Sequence, residues 1–143
     1  MVKEAKIKIS SVIENLGGGA LAMGEPERTE GEYSGYYHVV DGERFITYTE
    51  SAEGAFVSSE IRYLGGQVRV IRKGAVESDM LFSDTAEHLS LYKVGPYTFD
   101  CRVKARKIRA ELDGQGGRLE LYYNMKIGGA EKSAIMKIWI STN

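Results

Sequence analysis

Apolar and polar residues alternate with a period of two along much of this chain. Leu119, Leu121, Tyr123, Met125 and Ile127 share one face, and Arg118, Glu120, Tyr122, Asn124 and Lys126 share the other. Alternation sustained this far predicts a half-buried β-strand. Met136, Ile138 and Ile140 repeat the pattern against Lys137, Trp139 and Ser141. Val68, Val70 and Arg72 oppose Arg69, Ile71 and Lys73. The residues expected in the core are Leu119, Leu121, Met125, Ile127, Met136, Ile138 and Ile140. Glu120, on the opposite face, is expected in solvent, where its truncation costs little.

Turn signals separate these runs. Asp41-Gly42 lies between Tyr36–Val39 and Arg44–Tyr48. An Asp-Gly pair suits a type I′ turn, whose two central residues need positive φ. Gly65-Gly66, Asp113–Gly117 and Gly128-Gly129 punctuate the chain in the same way. The result is a series of hairpins, hence an antiparallel meander. No strand–helix–strand alternation of a parallel fold is present.

Two segments fit either period. Ala5, Ile9, Val12, Ile13 and Leu16 have helical spacing, yet Ala5, Ile7 and Ile9 also alternate. Cys101, Ala105, Ile108 and Leu112 fit a helix, while Phe99, Cys101, Val103 and Ala105 fit a strand. Strands are favoured, because the neighbours are strands that need partners. The inward parity then changes between Ala105 and Ile108, which requires a bulge. The stretch from Leu16 to Glu27, with three consecutive glycines and Pro26, reads as irregular, and residues 17–27 are expected to form a long loop. The whole chain, 1–143, is expected to be one all-β domain. Eight to ten strands must hide their edges, and closure into a barrel does so. A barrel of roughly this size is filled by side chains or holds one small ligand.

Composition narrows the function. Lys plus Arg is 19 and Asp plus Glu is 20, a net charge of −1, so no global field draws the chain to nucleic acid or an anionic membrane. No apolar run reaches the roughly 18 to 20 residues of a membrane-spanning helix. The N-terminal MVKEAKIKIS lacks the apolar centre of a signal peptide. One cysteine, Cys101, excludes an internal disulfide and a cysteine-based zinc site. A cytoplasmic protein without cofactor is expected.

Several segments resemble the YwiB-like bacterial family. They are Tyr36–Glu50, then Arg72–Phe82 with its Arg-x-Gly…Met-x-Phe pattern, then His88-x-Ser90-x-Tyr92 and Gly117-x-Leu119-x-Leu121-x-Tyr123. Their order and spacing cover about Tyr36 to Ile140. The resemblance implies a calycin-like, lipocalin-type antiparallel barrel and imports no catalytic residues. Where that family carries Thr-Pro-Tyr-Gly, this chain has Val94-Gly95-Pro96-Tyr97-Thr98.

Candidate chemistry lies on the inward parity. Glu50 shares a face with Tyr48, Arg72 with Val68 and Val70, and His88, Ser90 and Tyr92 align, as does Tyr123 with Leu121 and Met125. A buried charge needs a partner. Arg72 is therefore expected to be largely buried, with Glu50 as its partner. The group Glu50, Arg72, His88, Tyr92 and Tyr123 reads either as a ligand site, with Arg72 clamping an anion between tyrosine walls, or as a self-satisfied polar network closing one barrel end. No spacing supports a metal site around His38 or His88, and Cys101 reads as a small core residue. Gly17-Gly18-Gly19-Ala20 lacks the Gly-Lys-Ser/Thr ending of a phosphate loop.

The run Arg102–Arg109 is the one basic patch, with Arg102, Lys104 and Arg106 on one outer face. No aromatic residues interleave with these cations, which argues against nucleic acid. A solvated face paired to acidic neighbours is expected. Three functions compete: a non-catalytic barrel for a small apolar or anionic ligand, an interaction protein using strand 102–109 against RNA or an acidic protein surface, and an enzyme. The ligand-binding barrel is favoured. The enzyme is weakest, because no nucleophile–base pair or cofactor fingerprint is present.

Overall fold

The computed structural model describes residues 2–16, 26–52 and 54–142. Ten antiparallel strands form a closed barrel: β1 (Lys3–Leu16), β2 (Glu27–Val40), β3 (Glu43–Ala52), β4 (Ala55–Leu64), β5 (Gln67–Gly74), β6 (Val76–Phe82), β7 (His88–Val94), β8 (Tyr97–Asp113), β9 (Gly116–Ile127) and β10 (Ala130–Thr142). Each strand pairs with its sequence neighbour, and β1 closes the ring against β10. No helix occurs among the described residues. Glu27 already belongs to β2, so the expected loop is shorter at that end; its residues 17–25 lie outside the described residues.

Local chemistry produces these elements as anticipated. Asp41 and Gly42 have φ of 51° and 82°, the two positive values a type I′ turn demands. Both ambiguous segments are strands. The β8–β9 ladder shifts register between Ala105 and Lys107. Cys101, Val103 and Ala105 point inward before the bulge, and Ile108, Ala110 and Leu112 pack toward the core after it. The bulge reconciles two inward parities in one strand.

One half of the barrel is solid and the other is open. The solid half lies toward the β2–β3, β4–β5 and β8–β9 turns. Ile7, Tyr37, Ile46, Ile61, Val68, Phe82, Leu119 and Ile138 are buried there or in the adjoining middle. Tyr37 plugs this end, its hydroxyl donating to the Asp113 carbonyl at 2.6 Å. Toward the β5–β6, β7–β8 and β9–β10 turns the inward positions meet solvent. Met125, Ile127 and Met136, expected in the core, are only half-buried. Val94, Tyr97 and Phe99 are exposed although they keep inward parity. Strands that outrun the packed core leave their last side chains as a rim.

Glu120 also departs from expectation. It points outward, yet it is only 5% exposed. Arg109 from β8 and Lys137 from β10 pair beside it in the ladders, and both reach over it, each 3.8 Å from its carboxylate. Long cationic side chains on both neighbouring strands cover an outward residue that periodicity alone assigns to water.

Candidate functional site

The inward face changes character where the packed half meets the open half. The register aligns Tyr48 with Ser59, Ser59 with Arg72, and Arg72 with Ser78, across β3 to β6. On the far side of β6, Ser90 of β7 aligns with Cys101 of β8. All but Arg72 are buried. Three serines and a cysteine at neighbouring inward positions keep this level narrow in side-chain volume, which leaves space for a guanidinium.

Arg72 and Glu50 meet as their shared parity predicts. Nη2 of Arg72 donates to both carboxylate oxygens of Glu50, at 3.2 and 3.1 Å. The pair is not deeply buried: the side chains are 30% and 25% exposed. The expectation of a largely buried Arg72 is thus corrected. The pair stands at the border of the open half, where water still reaches it. That exposure lowers the desolvation cost that a fully buried ion pair would carry.

Tyrosines wall this border. Tyr33 stacks on Tyr48 with ring centroids 4.9 Å apart. Its ring lies back over Gly31, where any side chain would collide with it. Burial raises the Tyr48 hydroxyl well above the usual tyrosine value, and the Glu50 carboxylate raises it further against the opposing pull of Arg72. Tyr33 shifts upward for the same reasons. Across the barrel, Tyr123 packs on Phe82 with centroids 4.7 Å apart. Burial pushes its hydroxyl up to about 12, while the Arg72 charge acts the other way. Tyr92, half-buried against the core, faces the same space. Ser59 Oγ is buried there with no hydrogen-bond partner.

The structure thus gathers Glu50, Arg72, Tyr92 and Tyr123, and adds Tyr33, Tyr48, Ser59 and Ser78. Tyr48 was legible from its parity with Glu50; the serines carry no signal without the register. His88 does not join them. It lies opposite Val103, four residues from Tyr92 and so about 13 Å along the strand, toward the packed half. Its Nε2 is buried without a hydrogen-bond partner. Cys101 is buried, and burial raises its thiol pKa, the reverse of an activated nucleophile. On the outer wall, Arg102 and Lys126 both approach Glu87, at 3.7 and 3.9 Å, so part of the basic strand is paired as expected.

A surface crevice lies beside this border. The β6–β7 ladder is only two pairs long, Val76 with Val94 and Glu77 with Lys93. Beyond it a crevice of about 510 Å³ is lined by Arg72, Ser78 and Ser90 from the inward face and by Asp79, Leu91 and Lys93 from the outward face. A second hollow, about 420 Å³, lies mainly against outward residues of β2 to β5 such as Thr47, Ser58 and Glu60.

Comparison with known proteins agrees with this architecture. The chain is 25% identical over 126 residues to the uncharacterized β-barrel protein YwiB of Bacillus subtilis (strain 168), covering 88% of this chain and 84% of that one. The crystal structure of the YwiB protein from Bacillus subtilis superposes with a TM-score of 0.81 at 23% identity, over 99% of this chain and 94% of the other. The family described as "Domain of unknown function (DUF1934)" matches residues 7–138, and the chain belongs to that family.

Proposed function

We propose that this barrel is a non-catalytic binding protein for a small amphiphilic anion, with Arg72 as counter-ion and the open half as the apolar receptor. The observation that carries this is the partial exposure of an inward-facing arginine: the Arg72 side chain stays 30% exposed at the border of the open half. A guanidinium has five N–H donors in a planar fork. The bonds to Glu50 use Nη2 alone, so among the described residues Nε and Nη1 face no side-chain acceptor. Each can donate one charge-assisted hydrogen bond to a carboxylate or phosphate oxygen, the bidentate edges being shared with the Nη2 that Glu50 holds. Ser59 Oγ, buried beside the Tyr48 hydroxyl, adds a polar atom at the same level. The rim of Val94, Tyr97 and Phe99 offers apolar surface to the rest of the ligand. Glu50 then holds Arg72 in place rather than exhausting it.

Thermal unfolding in the presence of inorganic phosphate, butyrate, octanoate and dodecanoate tests the reading. The longer carboxylates should raise the melting temperature of the wild type and leave that of Arg72→Met unmoved. Arg69→Met, which breaks the outer-wall pair with Asp79 at 2.6 Å, should respond like the wild type. A wild type indifferent to every anion, or an equal rise in Arg72→Met, removes Arg72 as the anchor.

A further inference from the structure

We infer that the outer wall formed by β8, β9, β10 and β1 is a binding face for single-stranded nucleic acid. The basic run on β8 contains no aromatic residue, but the register sets Tyr122 of β9 beside its Lys107, and Trp139 of β10 between Arg118 and Lys8. Three adjacent rows cross the wall. The first is Glu111, Arg118, Trp139 and Lys8; the second is Arg109, Glu120, Lys137 and Ser10; the third is Lys107, Tyr122, Ile135 and Val12. Aromatic, cationic and aromatic rows thus alternate.

Each aromatic ring has a cation beside it. Lys8 Nζ lies 5.7 Å from the Trp139 ring centroid, and Lys107 Nζ lies 5.9 Å from that of Tyr122. The outer and inner aromatic rows are four residues apart along a strand, about 13 Å. Trp139 is 36% exposed, far more than a core tryptophan. The middle row would be weakened by Glu120 if its carboxylate met water. Its side chain is only 7% exposed, beneath Arg109 and Lys137, so it offsets one of the two charges and leaves the row at +1 with the cations outermost. What the row presents outward is two cations. Glu111 is the one exposed carboxylate of the three rows and lies 3.8 and 3.4 Å from Arg109 and Arg118; with the covered Glu120 the rows hold two carboxylates against Lys8, Lys107, Arg109, Arg118 and Lys137. These three rows carry a local excess of three positive charges in a chain of net charge −1, bounded on β2 by Glu30 and Glu32.

Cations that follow a phosphate backbone, with aromatic faces on which bases stack, are the requirements for sequence-tolerant single-strand binding. An acidic protein surface would use the cations and leave the rings idle. A duplex hides its base faces, so the rings select an unpaired strand.

Trp139 is the only tryptophan in the chain, so its fluorescence reports directly on this wall. The full chain is titrated with a uridine 20-mer and a deoxythymidine 20-mer at 50 and 200 mM salt. Either strand should quench Trp139. With about five phosphate contacts the affinity should fall roughly 100-fold between the two salt concentrations. Lys8→Gln with Arg118→Gln should weaken binding at least 10-fold, and Tyr122→Ala roughly 5- to 100-fold, one base stack. Melting temperatures check that the variants fold, and the wild-type quench and salt slope stand without them. Arg69→Gln, on the opposite wall, should bind like the wild type. The inference fails if neither strand quenches Trp139 at 50 mM salt. It fails equally if heparin or polyglutamate binds as tightly as the oligonucleotides and Tyr122→Ala changes nothing.

Discussion

Severing the Glu50–Arg72 pair should destabilise the barrel by an amount between those of a surface and a core ion pair. Nη2 stands 3.1 and 3.2 Å from the two carboxylate oxygens. At an effective dielectric of about 20 the gross attraction at that distance is about 5 kcal/mol. Solvent reaches both side chains, at 30% and 25% exposure, so screening and desolvation offset most of it. Exposed pairs couple by roughly 0.2 to 1 kcal/mol, and breaking a fully buried pair costs about 3 to 5. The expected coupling is therefore about 1 to 2 kcal/mol. Arg72→Met, Glu50→Gln and the double variant form the cycle, read by urea unfolding at pH 7. Arg72→Met should be the worst of the three, at about 2 to 3 kcal/mol, because it strands the Glu50 carboxylate beside Tyr33 and Tyr48. In the double variant no charge is stranded, and part of the loss should return. For 143 residues the unfolding entropy is about 0.3 kcal/mol/K, so 2 kcal/mol moves the melting temperature by about 7 °C. The coupling should shrink in 0.5 M salt, since the pair is partly solvated. Strictly additive single variants, with coupling below about 0.3 kcal/mol, would refute the argument that this site is only half in water.

Two further outcomes follow from the division into a solid and an open half. Leu121→Ala, at a fully buried position, should cost about 3 to 4 kcal/mol in denaturant unfolding, and Met125→Ala, half-buried four residues along the same face, about half that; equal costs would abolish the gradient. The Tyr123 hydroxyl is raised from 10.0 to about 12 in the folded state, so above pH 10 the unfolded chain loses its proton first and stability falls with rising pH. That loss should continue to about pH 12, and Tyr123→Phe should make the alkaline limb of a stability–pH curve less steep, leaving the share of Tyr33 and Tyr48; an unchanged limb would show that Tyr123 does not titrate late.

Alternation and turn chemistry determined which way most side chains face. A strand exposes successive residues to opposite sides, so the parity of Glu50, Arg72, Tyr92 and Tyr123 could be written down from the chain alone. The bulge after Ala105 was legible for the same reason, because one strand cannot keep two inward parities without an extra residue. His88 shared that parity and still fell outside the site. Parity gives the face and says nothing about the level along the barrel axis. What stands beside a residue on the next strand depends on register, and register is a property of pairing. Only the folded sheet placed Arg109 and Lys137 over Glu120, turning a nominally solvated carboxylate into a covered one. Only the register set Tyr122 beside Lys107 of a basic run that reads in sequence as devoid of aromatics, and Trp139 between Arg118 and Lys8. The seam between β6 and β7 is likewise invisible in either strand. It arises where two strands stop pairing, a relation between segments that neither contains.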